Sequence, residues 1–134
     1  MSTPAQFPEP ADGRLPPFLV ALAGWLVPGL GHLLLRRPGR ALIYLLCVGS
    51  LAGMGLALGG HIFRLPARGV FEWLGVAADA GTGAFYFLSG MWDGLTSDVS
   101  RAVGDYGTRF IVAAGVLNLL FVLDAHEMAS RRRR

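Results

Sequence analysis

Val27-Pro28-Gly29-Leu30-Gly31-His32-Leu33-Leu34-Leu35-Arg36-Arg37-Pro38-Gly39-Arg40 is the stretch that decides how this chain folds. An apolar run climbs into a Pro/Gly break, recovers for about one helical turn and ends in a compact arginine cluster. A second apolar run starts directly at Ala41. Pro28 removes a backbone hydrogen bond and clashes with the preceding turn, so the helix that reaches it must kink or stop. Carbonyls freed by such a break inside a bilayer need protein or water to satisfy them. The pattern is that of a chain entering a membrane, turning at a basic surface and going back in.

Composition supports this. The chain has 134 residues, 53% of them hydrophobic and only 16% charged, against about 25% charged in soluble domains. The deficit lies in long, nearly uncharged runs of the ~20 residues needed to cross hydrocarbon. All 12 basic residues are arginine, and the net charge is +3. Most of them sit at the edges of apolar runs, where they act as topology signals, so nucleic acid is not an expected partner. The single Cys47 lies in an apolar run and has no intramolecular disulfide partner, so it reads as a lone buried thiol, in effect a small apolar residue.

Outward from the break, residues 1–14 are Pro-rich and polar and read as a flexible tail. Residues 15–130 form one helical membrane domain, and residues 131–134 a basic tail. Segment one runs from Leu15 to Leu35, opening with Pro16-Pro17 in a first turn, and is either a kinked span or a re-entrant hairpin broken at Pro28-Gly29. It continues too far beyond a signal-peptide core to be read as a cleaved leader. Segment two, Ala41–Gly60, carries no charge. Gly49, Gly53, Ala57 and Gly60 fall on one helical face there, and small residues at this spacing let backbones approach closely. The predicted helix-packing face is therefore this one, with homo- or hetero-oligomers as a consequence.

Segment three, Trp73–Trp92, is bounded by tryptophans but holds Asp79, Thr82, Ser89 and several glycines. It spans, lies in the interface, or enters as a hairpin. Segment four runs from Thr108 to Met128 and leads out through Asp124, His126 and Glu127. The fold class is all-α: a polytopic membrane protein of three to four hydrophobic segments. Arginine-rich loops stay cytoplasmic. Arg36, Arg37 and Arg40 share a side with Arg131, Arg132, Arg133 and Arg134 only if an even number of spans separates them, which argues for an incomplete third segment. Both clusters are also expected to contact anionic lipid headgroups.

Few residues carry chemistry. Asp79 is the possible intramembrane acid; a proton or ion relay needs such a group, but the simpler expectation places it at an interface, facing water. His32 is expected to bond carbonyls freed by Pro28 or to meet headgroups, since no second His or Cys stands at metal-ligand spacing. Asn118 is expected to be an interhelical hydrogen-bond donor. No nucleophile elbow, phosphate loop or metalloprotease motif is present, and Gly81-Thr82-Gly83 is too short to count as a phosphate loop. No cofactor or metal is expected, and no enzyme.

Pro28-Gly29-Leu30-Gly31-His32 through Arg40 resembles the opening of the small bacterial proteins with a two-transmembrane-helix domain, with Leu33 where those carry an aromatic and Leu35 where a Gly is usual. Trp25-Leu26-Val27 into the break, and Tyr106-Gly107-Thr108-Arg109-Phe110 to Asn118-Leu119-Leu120 and Leu123-Asp124-Ala125, also resemble an uncharacterised family of small bacterial membrane proteins. That resemblance implies a bacterial inner-membrane protein and no mechanism. The function expected is a non-enzymatic scaffold or accessory subunit packing through the segment-two glycines. The alternative is a transport or ion-conducting element using Asp79 and the Pro28 break.

Overall fold

A computed structural model describes residues 15–89, 91 and 102–132. Six helices lie among them, and no strand: α1 (Pro17–Leu26), α2 (Leu30–Leu34), α3 (Pro38–Ala57), α4 (Val70–Ala80), α5 (Ala84–Ser89) and α6 (Ala102–Arg131). Local sequence signals explain most of their ends. Pro17 opens α1 and Pro38 opens α3 at first-turn positions, where a missing N–H is harmless. Val27 is extended (φ −129°, ψ 117°) because Pro28 drives the residue before it out of the helical region. Gly29 then takes φ 84°, and a Cβ there would run into the Ala41 carbonyl, so this corner requires glycine.

The ends of α2 and α3 share one device. At the end of α3, Gly60 N–H donates to Gly55 O and Gly59 N–H to Leu56 O, with Gly59 at φ 71°. This is the Schellman cap, whose left-handed residue is usually glycine. At the end of α2, Arg37 N–H donates to His32 O and Arg36 N–H to Leu33 O. There the left-handed position, φ 59°, is held by Arg36.

Helices α3 and α6 are antiparallel: Tyr44 stacks on Phe121 near one end (centroids 3.7 Å apart), and Gly55 meets Ile111 and Gly107 near the other. Both are long and apolar enough to cross a membrane. At about 1.5 Å per residue, the 20 residues of α3 match the ~30 Å of a hydrocarbon core. Only 22% and 28% of their apolar windows are buried within the chain, whereas the core helix of a soluble domain is mostly buried. Leu42, Ile43, Leu46, Leu120 and Leu123 all point outward, and so does Cys47, which the sequence suggested as a buried thiol. These features support membrane association.

The other two segments are broken. Segment one is a hairpin of half-length pieces: Gly31 lies against Val20 and Gly24, and Leu35 packs with Val20, Ala125 and Ala129. So α2 runs back along α1, and its start and finish share one end of the bundle. Segment three breaks too, at Gly81-Thr82-Gly83, with Gly83 at φ 64°. Its α4 lays residues 78–81 against Gly115 of α6, and α5 ends with Ser89 Oγ accepting from Arg64 Nη2 of the loop that follows α3. Each half of the chain thus supplies a broken pair and then a long helix, and the two long helices run in opposite senses. Segment four starts earlier than its apolar run suggests, since 102–107 are already helical. Trp92 lies outside the described residues, as do residues 94–101 between segments three and four.

Candidate functional site

The two breaks meet at Asn118, in the middle of α6. Its Nδ2 donates to Gly81 O at 2.8 Å and to Trp25 O at 3.2 Å, and the residue is fully buried. Trp25 Nε1 donates in turn to Ala80 O (2.9 Å), and Thr82 Oγ1 to Asp79 O. Carbonyls released where α1 and α4 stop are therefore satisfied by three side chains, as buried backbone acceptors require. Glycine makes the approach possible. A Cβ on Gly83 would overlap the Trp25 carbonyl, and one on Gly115 the Ala78 carbonyl.

Asp79 does not face water, as the simpler expectation had it. It is 0% exposed, and its Oδ2 accepts from the Phe63 amide at 2.7 Å. Gly75, one turn earlier, leaves room for the Phe63 ring. The polarity of segment three thus anchors the loop rather than drawing the helix to the surface. Oδ1 of Asp79 and Oδ1 of Asn118 are buried and accept no hydrogen bond among the described residues.

A second polar cluster marks the arginine end. His32 is neither bonded to freed carbonyls nor placed at headgroups: it is 1% exposed, and its Nε2 lies 2.9 Å from Asp124 Oδ2. The Tyr44 hydroxyl and Arg40 Nη1 donate to the same oxygen, each at 3.4 Å, and the His32 and Tyr44 rings meet edge to face. Asp124 thereby ties α2, α3 and α6 together. Arg132 Nη2 donates to Leu35 O at 2.9 Å, which puts the two arginine clusters at the same end. Arg131 pairs with Glu127, and Arg36 and Arg37 are exposed. Arg133 and Arg134 lie outside the described residues.

The glycine face is divided. Inside the chain α3 packs through Ala41, Val48, Ala52 and Gly55, not through the face predicted from spacing. Of the predicted four, Gly60 abuts Gly107, whereas Gly49, Gly53 and Ala57 are exposed, and a Cβ at Gly49 or Gly53 would meet nothing within 4 Å. The partner of Gly55 is what decides between the two faces: Gly107 and Ile111 of α6 sit opposite it.

Sequence reasoning missed Trp25, Tyr44, Phe63 and the dual role of Asp124. Asp124 is 92 residues from His32, so no local spacing announces the pair. The Gly81-Thr82-Gly83 corner did carry a signal, a Gly-x-Gly inside an apolar run like Gly29-Leu30-Gly31. No group of three or more His, Cys, Asp or Glu that could hold a metal occurs among the described residues.

Residues 19–134 match the model of a family of unknown function, DUF6677. No curated protein and no solved structure matches the chain.

Proposed function

We infer that this chain, which belongs to the DUF6677 family, is a small multi-pass protein of the bacterial inner membrane that performs no enzymatic reaction. It serves as a scaffold or accessory subunit, offering the outward glycine face of α3 to a partner helix. In this reading α3 and α6 cross fully, and the pairs α1–α2 and α4–α5 enter from opposite sides as half-length hairpins. The arginine-bearing end faces the cytoplasm and anionic lipid.

One observation carries the scaffold role. Gly49 and Gly53 have open space before them on a helix whose other side is already packed against α6. Lipid tails gain nothing from a glycine-lined surface, whereas a second helix gains close backbone contact. The test is disulfide or chemical crosslinking in native membranes. Gly53→Ile and Ala57→Ile should each reduce association, and unchanged association in both removes the scaffold role.

Transport is the second reading, favoured by the unpartnered Oδ1 atoms of Asp79 and Asn118 beside two opposed helix breaks. Secondary transporters place their sites at such interrupted helices. Asp79→Asn should then abolish a flux of protons or cations measured in proteoliposomes. A wild-type protein with no flux rules this reading out.

A further inference from the structure

We propose that the corner where segment one breaks is a binding site for one anionic phospholipid, with an acyl chain in the groove beside Pro28 and the phosphate on Arg36 and Arg37. This rests on the membrane reading above and goes beyond general headgroup contact by naming a seat for a single lipid.

The groove, about 230 Å³, lies between the α1–α2 corner and the first half of α3. Its walls are Val27, Pro28, Leu30, Leu33, Leu42 and Leu45 together with the small residues around them. All of its side chains are apolar, and Leu33, Leu42 and Leu45 are exposed, so it opens sideways, towards hydrocarbon. A polar solute would find no partner there. A methylene chain would cover apolar surface that the break leaves uncovered, because Gly29 and Pro28 cannot fill the corner themselves.

The α2–α3 turn borders this groove directly, since Leu33 and Pro38 line it and Arg36 and Arg37 lie between them. Charge at the turn is one-sided. Asp124 engages Arg40, Arg132 reaches the turn through Leu35 O, and Glu127 is taken by Arg131. Neither Arg36 nor Arg37 makes an ion pair among the described residues. Two exposed arginines in the turn that borders an apolar groove suit a phosphate ester, which the planar fork of arginine binds in a bidentate manner.

The backbone at Arg36 points the same way. The equivalent left-handed position closing α3 is Gly59, and glycine is the ordinary occupant. A topology signal requires only positive charge somewhere in the loop, and Gly39 stands three residues away. Arginine at the disfavoured position is explained by a ligand that needs it there.

The experiment is native mass spectrometry of the full chain released from nanodiscs of mixed phosphatidylglycerol and phosphatidylethanolamine. Wild type should retain one phosphatidylglycerol in preference to phosphatidylethanolamine. Arg36→Gly with Arg37→Gln should weaken retention roughly 30-fold, at about fivefold for each basic residue near an anionic headgroup. Arg36→Gly relieves the left-handed residue, so this variant keeps its fold. Leu42→Trp, which fills the groove and leaves the arginines in place, should also lose the lipid, and Arg109→Gln at the opposite end should not. No preference for phosphatidylglycerol in wild type, or retention as strong as wild type in either the double variant or Leu42→Trp, overturns the proposal while leaving the membrane reading standing. Recovery of the wild-type chain in the soluble fraction would defeat both.

Discussion

Replacing Asn118 by Ala removes the α6 side chain that bonds to both helix breaks. Two hydrogen bonds are lost, to Trp25 O and to Gly81 O. Interhelical bonds inside a membrane contribute about 0.6 kcal/mol on average and about 1.7 at most, because the unfolded chain in a bilayer also finds partners. Two of them give about 1 to 3 kcal/mol. Asn118→Asp is the sharper control: it keeps the shape, but an ionised carboxylate has no donor for either carbonyl, so the loss should be at least as large. The assay is reversible unfolding in mixed micelles with tryptophan fluorescence as one probe, paired with hydrogen exchange. The amides around residues 81–83 should exchange faster, while those of α3 near Val48, which packs against Ala114 instead, should change little. Leu120→Ala, at an outward position, sets the baseline for a change that cuts no internal bond. If Asn118→Ala is no more destabilised than Leu120→Ala, Asn118 does not join the two breaks and the account of the fold's centre is wrong.

Gly115→Leu should prevent folding or lower the yield of folded protein severely in detergent, since even a Cβ would overlap the Ala78 carbonyl; Gly49→Ala, with open space before it, should stabilise the helix by about 0.5–1 kcal/mol, and the two are compared by thermal unfolding. Arg36→Gly should raise stability by about 1 kcal/mol by relieving the left-handed residue, read from the denaturation midpoint, and a fall would contradict the strain assigned to Arg36. Asp124→Leu leaves His32 buried without its partner, so about 1–3 kcal/mol should be lost, with a loosened α2 visible as faster exchange at Leu33 and Leu34. Single cysteines at Gly39 and Ala67 in a Cys47→Ala background should label from opposite sides of the membrane with an impermeant reagent. Labelling from the same side would mean that α3 does not cross.

What could be read from the sequence divides along physical lines. The break at Pro28-Gly29 was legible because proline acts locally: it removes an N–H and extends Val27 whatever surrounds it. The break at Gly81–Gly83 lacks proline, and glycine only permits a corner; it takes Asn118 and the Trp25 carbonyl to make one. Helix faces fared likewise. Gly49/Gly53 and Gly55/Gly59 are equally good small-residue pairs by spacing, and what seats Gly55 is Gly107 of α6, some fifty residues away. The polarity of Asp79 by itself points to an interface; what buries it is the Phe63 amide, 16 residues away in the chain.

The two breaks also explain why so small a chain is so rich in glycine. A half-length helix such as α1, ten residues or about 15 Å, buries too little side-chain surface to be held by large residues alone, and hydrophobicity gives no drive for helices to associate within hydrocarbon. Close backbone contact is what remains, and it needs residues without side chains at each crossing: Gly24 beside Gly31, Gly55 and Gly60 beside Gly107, Gly81 beside Gly115. Each hairpin tip then presents carbonyls that no helical turn can satisfy, and a central amide on the long helix reaches both tips because they arrive from opposite sides at the same depth. The arginine end needs no such economy. There His32, Tyr44, Arg40 and Asp124 do by hydrogen bonding what glycine contacts do at the centre. Loss of a central glycine should therefore disrupt assembly of the whole bundle, whereas loss of one polar partner at the arginine end should loosen α2 alone.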